Sequence, residues 1–186
     1  MARPIEPLLT VDDLDCMPDD GNRYEVIEGV IQVSRAPGLA HQRIMIALIA
    51  GFVRYLDRNP VGEILATPGV ILSDFNGVIP DLVFISHELR DEIASGERIT
   101  GAPEIVIEIV SPGADNERRD RIVKRQLYAT YGVKEYWVVD PQSKTIEVYI
   151  HDGQTLMLSA VLGIGNELTS SLLPGFACSV ETIFSF

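Results

Sequence analysis

The chain has 186 residues, 46% of them hydrophobic and 23% charged, which is enough to bury one continuous core without disulfides. That balance excludes disordered and fibrous chains, so a single domain over 1–186 is expected. A formal net charge of −12 argues against a protein that coats nucleic acid through a basic surface, because such affinity comes from Lys and Arg meeting phosphates.

Cys16 and Cys178 stand far apart without a CxxC or Cys/His spacing, which suggests neither zinc nor a disulfide and fits a reduced, cytoplasmic protein. The start MARPIEPLLTVDDLD lacks the basic and then apolar regions of a signal peptide. No run is read as approaching the ~18 apolar residues of a membrane span.

In chain order, Thr10 ahead of VDDLDCM can cap a short acidic lead-in helix within residues 8–20, and Pro18 ends it. The alternation of YEVIEGVIQVS around Glu28-Gly29 predicts a β-hairpin with a tight turn, placed at a sheet edge. Ile44, Ala47, Leu48, Gly51, Phe52 and Tyr55 fall at three- and four-residue spacings, so AHQRIMIALIAGFVRYLDRN reads as a long amphipathic helix. GEILAT and GVILS are short strands, Asp74 to Gly77 a turn, and LVFIS after Pro80-Asp81 a buried strand. HELRDEIASGERITG reads as surface helix and loop. EIVIEIV is almost continuously apolar, the mark of a central strand covered on both faces, and Ser111-Pro112-Gly113 closes it. A helix runs from near Asp115 to a left-handed cap at Gly132. KEYWVVD and KTIEVYI then form a hairpin around Pro141-Gln142-Ser143, and one weak strand pair is expected before LLPGF. GIGNEL lacks the strand–turn–helix context of a dinucleotide loop and reads as a turn. The order of elements gives an α/β fold, a mixed central β-sheet flanked by helices.

Glu108 is the most informative residue, because EIVIEIV sets a carboxylate between apolar pairs. Desolvating an ionised acid is costly unless a cation, a metal or hydrogen bonds replace its water. The alternative is an acid close enough to the strand end to reach solvent or an arginine. Asp81 alone also reads as a turn or cap residue, but two acids on neighbouring strands are the oxygen ligands that Mg²⁺ or Mn²⁺ binds. Lys124 lies one turn from Asp120 and Arg121 and from Leu127 and Tyr128, so its stem can pack inward; the alternative is a solvated lysine in ERRDRIVKR. Arg118, Arg119, Arg121, Lys124 and Arg125 together offer local positive charge to a phosphate backbone. His41 reads as a lone surface histidine at a helix start, and Tyr136 and Trp137 as core or interface.

In this order, PDLVFI, PEIVIEIVSPG and KRQLYATYGVKEYWVVDP resemble the Uma-two family of restriction-endonuclease-type proteins, a branch of the PD-(D/E)XK nuclease superfamily. YEVIEG is similar to the family's opening YELIDG, HQRI to its helix start and LLPGF to its closing segment, so the likeness covers nearly the whole chain. The resemblance implies a restriction-endonuclease-like core and carries the family's metal-binding acids onto Asp81 and Glu108, with the carbonyl of Ile109 as a further ligand of Mg²⁺ or Mn²⁺. The superfamily's lysine, two residues after the Glu, falls here on Val110, so the resemblance implies that Lys124 takes that role. Glu25 matches an acid of the N-terminal motif, though a polar hairpin position can as well be solvated, and Gln126 and Tyr128 are candidates to support the ligands. The implied activity is metal-dependent endonuclease hydrolysis of nucleic acid, DNA first, leaving a 5′-phosphate and a 3′-hydroxyl. A homodimer pairing through EYWVV is the implied assembly. The −12 charge and Val110 leave open a non-catalytic binding module on the same fold, and cleavage of RNA or a small phosphodiester.

Overall fold

The computed structural model describes residues 8–94 and 96–186; residues 1–7 of the expected domain, and Ser95 in HELRDEIASGERITG, lie outside the described residues. The lead-in helix expected over 8–20 is only a 3-10 turn at Val11–Cys16, in which the Asp13 carboxylate accepts the Thr10 N–H at 2.7 Å. Three aspartates in six residues leave Val11 as its one buried side chain, too little apolar surface to hold a longer helix.

β1 (Arg23–Ile27) and β2 (Val30–Ser34) form the expected hairpin, and φ values of 51° and 73° at Glu28 and Gly29 give the turn whose twist matches its strands. α1 (Leu39–Leu56) buries His41, Ile44, Leu48, Gly51 and Phe52 along one face. With 18 residues and a mean hydropathy of 1.2, α1 is by length and composition apolar enough to cross a membrane, contrary to the expectation that no run approaches a span. β3 (Gly62–Ala66) and β4 (Val70–Ser73) lead into β5 (Asn76–Val78), so the turn expected over Asp74–Gly77 shrinks to its two-residue tip. The reason lies in Asn76, whose side chain accepts the Glu28 N–H at 2.8 Å and donates to the Tyr131 hydroxyl at 3.2 Å, tying it into the sheet.

β6 (Leu82–Ser86), α2 (His87–Ile93), the two-residue β7 (Ile99–Thr100) and β8 (Ile105–Ile109) follow, and every residue of β8 is buried. The single helix expected up to Gly132 is three pieces: α3 (Ala114–Arg118), a π-helical stretch at Arg119–Lys124, and α4 (Arg125–Thr130). Gly132 closes them at φ 82°. β9 (Glu135–Asp140), β10 (Thr145–His151), β11 (Leu156–Leu162), β12 (Glu167–Thr169), β13 (Ala177–Ser179) and α5 (Val180–Phe184) complete the chain.

Six strands make the central sheet in the order β11-β10-β9-β8-β6-β3, antiparallel except for β8 beside β9. A five-stranded sheet, β2-β1-β5-β4-β7, and the pair β12-β13 stand apart from it. The strand pair expected before LLPGF is therefore split, with β11 joining the central sheet and β12 pairing beyond LLPGF. One face of the central sheet packs Leu82, Ile107 and Trp137 on Phe52 of α1 and on Ile183 of α5. The other packs Val83, Val106 and Val138 on Leu127 and Tyr128 of α4 and on Val70 and Val78 of the smaller sheet. Because β9 is interior and Glu135–Val139 are buried, EYWVV offers no surface for a dimer, against expectation. Its apolar character answers to burial on both faces.

Candidate metal and nucleic-acid site

Antiparallel pairing sets Leu82 against Ile107, and one further step of that register brings Asp81 opposite Glu108. Opposed residues project to the same face, here the one filled by Val83, Val106, Tyr128 and Tyr136. Asp120, Lys124 and Tyr128 follow at four-residue intervals on the π-helical stretch and α4, and all three are buried against that face. Glu25 arrives from β1. Exposure falls to 4% at Asp81 and Glu108, 3% at Glu25 and 2% at Lys124 and Asp120.

Lys124 Nζ donates to Glu25 Oε1 and to Glu108 Oε1, each at 2.8 Å, and the Tyr128 hydroxyl donates to the same Glu108 oxygen at 2.9 Å. Glu25 Oε1 also accepts the Ile79 N–H at 2.7 Å. Asp81 Oδ2 accepts the Ile109 N–H at 2.8 Å and pairs with His41 Nε2 at 2.9 Å, while Oδ1 takes a longer bond from Arg23 at 3.3 Å. Arg119 holds Asp120 at 3.0 Å.

Four carboxylates thus surround one buried ammonium, and their protonation follows from that imbalance. Burial pushes Glu108 up to about 8; Lys124 opposes the shift, and the charges of Asp81, Asp120 and Glu25 add to it. Burial also raises Asp120, against Lys124 and Arg119. For Lys124 burial works against the charge, but Glu108, Glu25 and Asp120 outweigh it and hold the ammonium well above its ordinary range. Burial would raise Asp81, yet the His41 bond and charge, the Ile109 N–H and Lys124 together keep it low.

These groups line a cavity of ≈ 30 Å³, which also receives Arg35 and Ser111. Among the described residues no three His, Cys, Asp or Glu side chains are grouped as a ready cation cage. Two carboxylates beside the Ile109 main chain do suit Mg²⁺ or Mn²⁺, which bind through one or two carboxylates and keep several waters. Glu108 Oε2 supports that fit, since among the described residues it takes no hydrogen bond and is not sealed from the cavity.

Of the residues singled out in the sequence, Asp81, Glu108, Ile109, Lys124, Glu25 and Tyr128 are brought together, with Val110 buried in the adjoining core. Gln126 is not: it lies exposed on the outer side of α4, where its carbonyl accepts the Thr130 hydroxyl. His41 is buried on Asp81 and is not a surface residue, because the first turn of α1 packs beside the start of β6. Of the basic stretch only Arg118 is exposed without a partner among the described residues; the other four cations are engaged, Lys124 by the acids above. Arg121 is bound to Glu147 and Asp140 at 2.8 Å, Arg119 to Asp120, and Arg125 lies over the Tyr149 ring at 5.1 Å. Asp120 and Arg23 escaped the sequence reading, although Asp120 stands four residues before Lys124 and Arg23 two before Glu25, each on its partner's face.

The family model described as "Uma2: Putative restriction endonuclease" matches residues 11–181. The fold is similar to that of a crystal structure described as "a putative nuclease belonging to DUF820" from Anabaena variabilis, with a TM-score of 0.74 and 20% sequence identity over 95% of this chain and 98% of that one. The mixed α/β architecture expected from the sequence is therefore shared with that protein. No curated protein matches the chain in sequence. With a match spanning residues 11–181, the chain belongs to the Uma2 family.

Proposed function

We propose that this chain is a divalent-metal-dependent nuclease that hydrolyses phosphodiester bonds, with DNA as substrate. The observation that carries the reading is the meeting of Asp81, Glu108 and Lys124, from two strands and a helix, at one buried cavity. Asp81, Glu108 and the Ile109 carbonyl would hold Mg²⁺ or Mn²⁺, which when bound lowers the pKa of water and offsets charge on the scissile phosphate. Lys124 has a third N–H beyond the two that hold Glu25 and Glu108, and it would meet negative charge developing on the phosphate. Tyr128 fixes Glu108, and His41 with the Ile109 N–H fixes Asp81, so the oxygens are oriented in advance. Arg23 and Arg35 at the cavity would take the flanking phosphates.

The test is cleavage of single-stranded and plasmid DNA with Mn²⁺, with chelator, and in Asp81→Ala and Glu108→Ala. Metal-dependent cutting that both variants lose supports the proposal; no cutting, or variants as active as the parent, overturns it. The −12 charge favours a second reading, a binding module without turnover, which would retain oligonucleotides in the same assay and cut none. A homodimer would have to use another surface than EYWVV; the exposed Met157, Leu158 and Val161 of the edge strand β11 offer one, and sedimentation of a variant with these made polar tests it.

A further inference from the structure

Beside the acidic cavity lies a larger one of ≈ 220 Å³, walled by Leu39 at the start of α1, by Val110, Ser111 and Pro112 after β8, and by Pro141 and Gln142 in the β9–β10 turn. His41 and Ser111 line both cavities, so an occupant of the larger one sits one side chain away from Asp81 and Glu108. Its size is below the about 300–1,000 Å³ of pockets for drug-sized ligands and suits a single planar ring system.

The chemistry of the walls separates a base from a phosphate. Two prolines, Val110 and the 75%-exposed Leu39 present apolar surface. The charged groups on the rim are Asp140 and Glu117, carboxylates that already face Arg121 at 2.8 and 3.7 Å, so a phosphate would be repelled there. Uncommitted polar groups are also present. The Ser111 hydroxyl and the Gln142 carboxamide make no hydrogen bond among the described residues, and only the main-chain N–H of Gln142 is engaged, by Asp140. His41 turns Nε2 to Asp81, and its Nδ1, unpartnered among the described residues, is sealed within the shared wall, so the Ser111 hydroxyl and the Gln142 carboxamide are the groups an occupant meets. An apolar slot with a few convergent, unsatisfied donors and acceptors is the usual form of a site for a flat heterocycle.

We propose that this cavity receives one unstacked nucleobase of the strand being cut, next to the scissile phosphate. The inference rests on the nuclease reading for its link to cleavage, and it names the substrate class: single-stranded DNA, or an unpaired nucleotide within a duplex. A stacked, paired base cannot enter, and extruding one costs least where it is already unpaired. Grip on a base through apolar contact also suits a chain whose charge of −12 gives little hold on phosphates.

The full chain is tested with Mn²⁺ on a single-stranded oligonucleotide and on the same strand made abasic beside the cut. The intact strand should be cut about tenfold faster in kcat/KM, the scale of one lost base contact. Gln142→Ala, and Ala40→Trp which fills the cavity, should remove that difference. A second readout needs no cutting: with Ca²⁺ in place of Mn²⁺, 2-aminopurine at the same position should brighten on binding, and Ala40→Trp should abolish the change. Equal cutting of both strands with no 2-aminopurine signal overturns the subsite and leaves the nuclease reading standing. A 2-aminopurine signal lost in Ala40→Trp, in a protein that cuts nothing, supports the subsite and overturns the nuclease reading.

Discussion

Glu108 is held by conflicting demands, and the conflict is measurable. Its carboxyl titrates at about 8 in the metal-free fold, against an ordinary value of 4.5. Between those values the folded chain keeps a proton that the unfolded chain has released, so this residue's contribution to stability is full below about 4.5 and falls as pH rises towards 8. Glu108→Gln mimics the protonated acid, so the metal-free variant should lose less stability than the parent between about pH 5 and pH 8 in urea titrations. The same variant should cut no DNA, since an amide is a poor ligand for a hard cation. A variant that keeps the parent's pH dependence would mean that Glu108 is not the group titrating. Lys124 makes the opposite case. Lys124→Met leaves Glu25 and Glu108 buried without their cation, and breaking such a pair from one side costs roughly 3–5 kcal/mol. That deficit should shrink as the pH falls through the range in which the raised Glu108 carboxyl takes up its proton, which thermal melts at several pH values would follow. Glu108 was legible in the sequence because a carboxylate amid EIVIEIV breaks a pattern, and Asp81 only in its company, since alone it reads as a turn or cap residue. Lys124 was legible only by family resemblance, since its spacing fits a solvated lysine equally well. His41 was not legible, because its burial depends on where α1 begins relative to β6, which no local period encodes.

Among the elements, the π-helical stretch decides the site. Its wider turn carries Asp120 and Lys124 to the same buried face while Ile122 stays 44% exposed, and such stretches often mark functional positions. Deleting Ile122 would favour ordinary α-helical pitch and rotate Lys124 away from Glu108. The chain should still fold, by circular dichroism, but lose cleavage by about a hundredfold or more, the cost of misplacing a catalytic group by an ångström. Loss of the fold instead would show that the stretch is needed for packing. α1 is tied down differently. Phe52 lies 4.7 Å from the Phe176 ring, 5.8 Å from Trp137 and 6.3 Å from Phe84, so Phe52→Ala opens the centre of that core. A cost of about 3–5 kcal/mol is expected, read as a lowered melting temperature. The β1–β2 hairpin and α1 were readable from their apolar periods, β6 and β8 from nearly unbroken apolar runs, and the β9–β10 pair from strands flanking a turn. Of the smaller sheet, β5 and β7 were not, since they have three residues and two, too short for any period, and the π-helical widening leaves a helical pattern looking ordinary.

At the scale of the whole molecule, the charge of −12 and the proposed phosphate-binding role are reconciled by where the cations stand. The basic run of the sequence neutralises the protein's own acids through Arg119, Arg121 and Lys124, and these cations cannot also neutralise a nucleic-acid backbone. Arg23 and Arg35 remain at the cavity, one bound to Asp81 through a single long contact and the other exposed. Two phosphate contacts release few counterions, so the logarithm of affinity for a single strand should fall against the logarithm of salt with a slope of roughly −1.4, taking about 0.7 per contact. Arg35→Ala should weaken binding uniformly across sequences and lower that slope by about 0.7. Fluorescence anisotropy of a short strand at several NaCl concentrations, with Ca²⁺ present to prevent cutting, gives both slopes. A slope of about −5 or steeper would require a basic footprint that the surface around this cavity does not have, and the bound strand would then have to lie elsewhere on the protein.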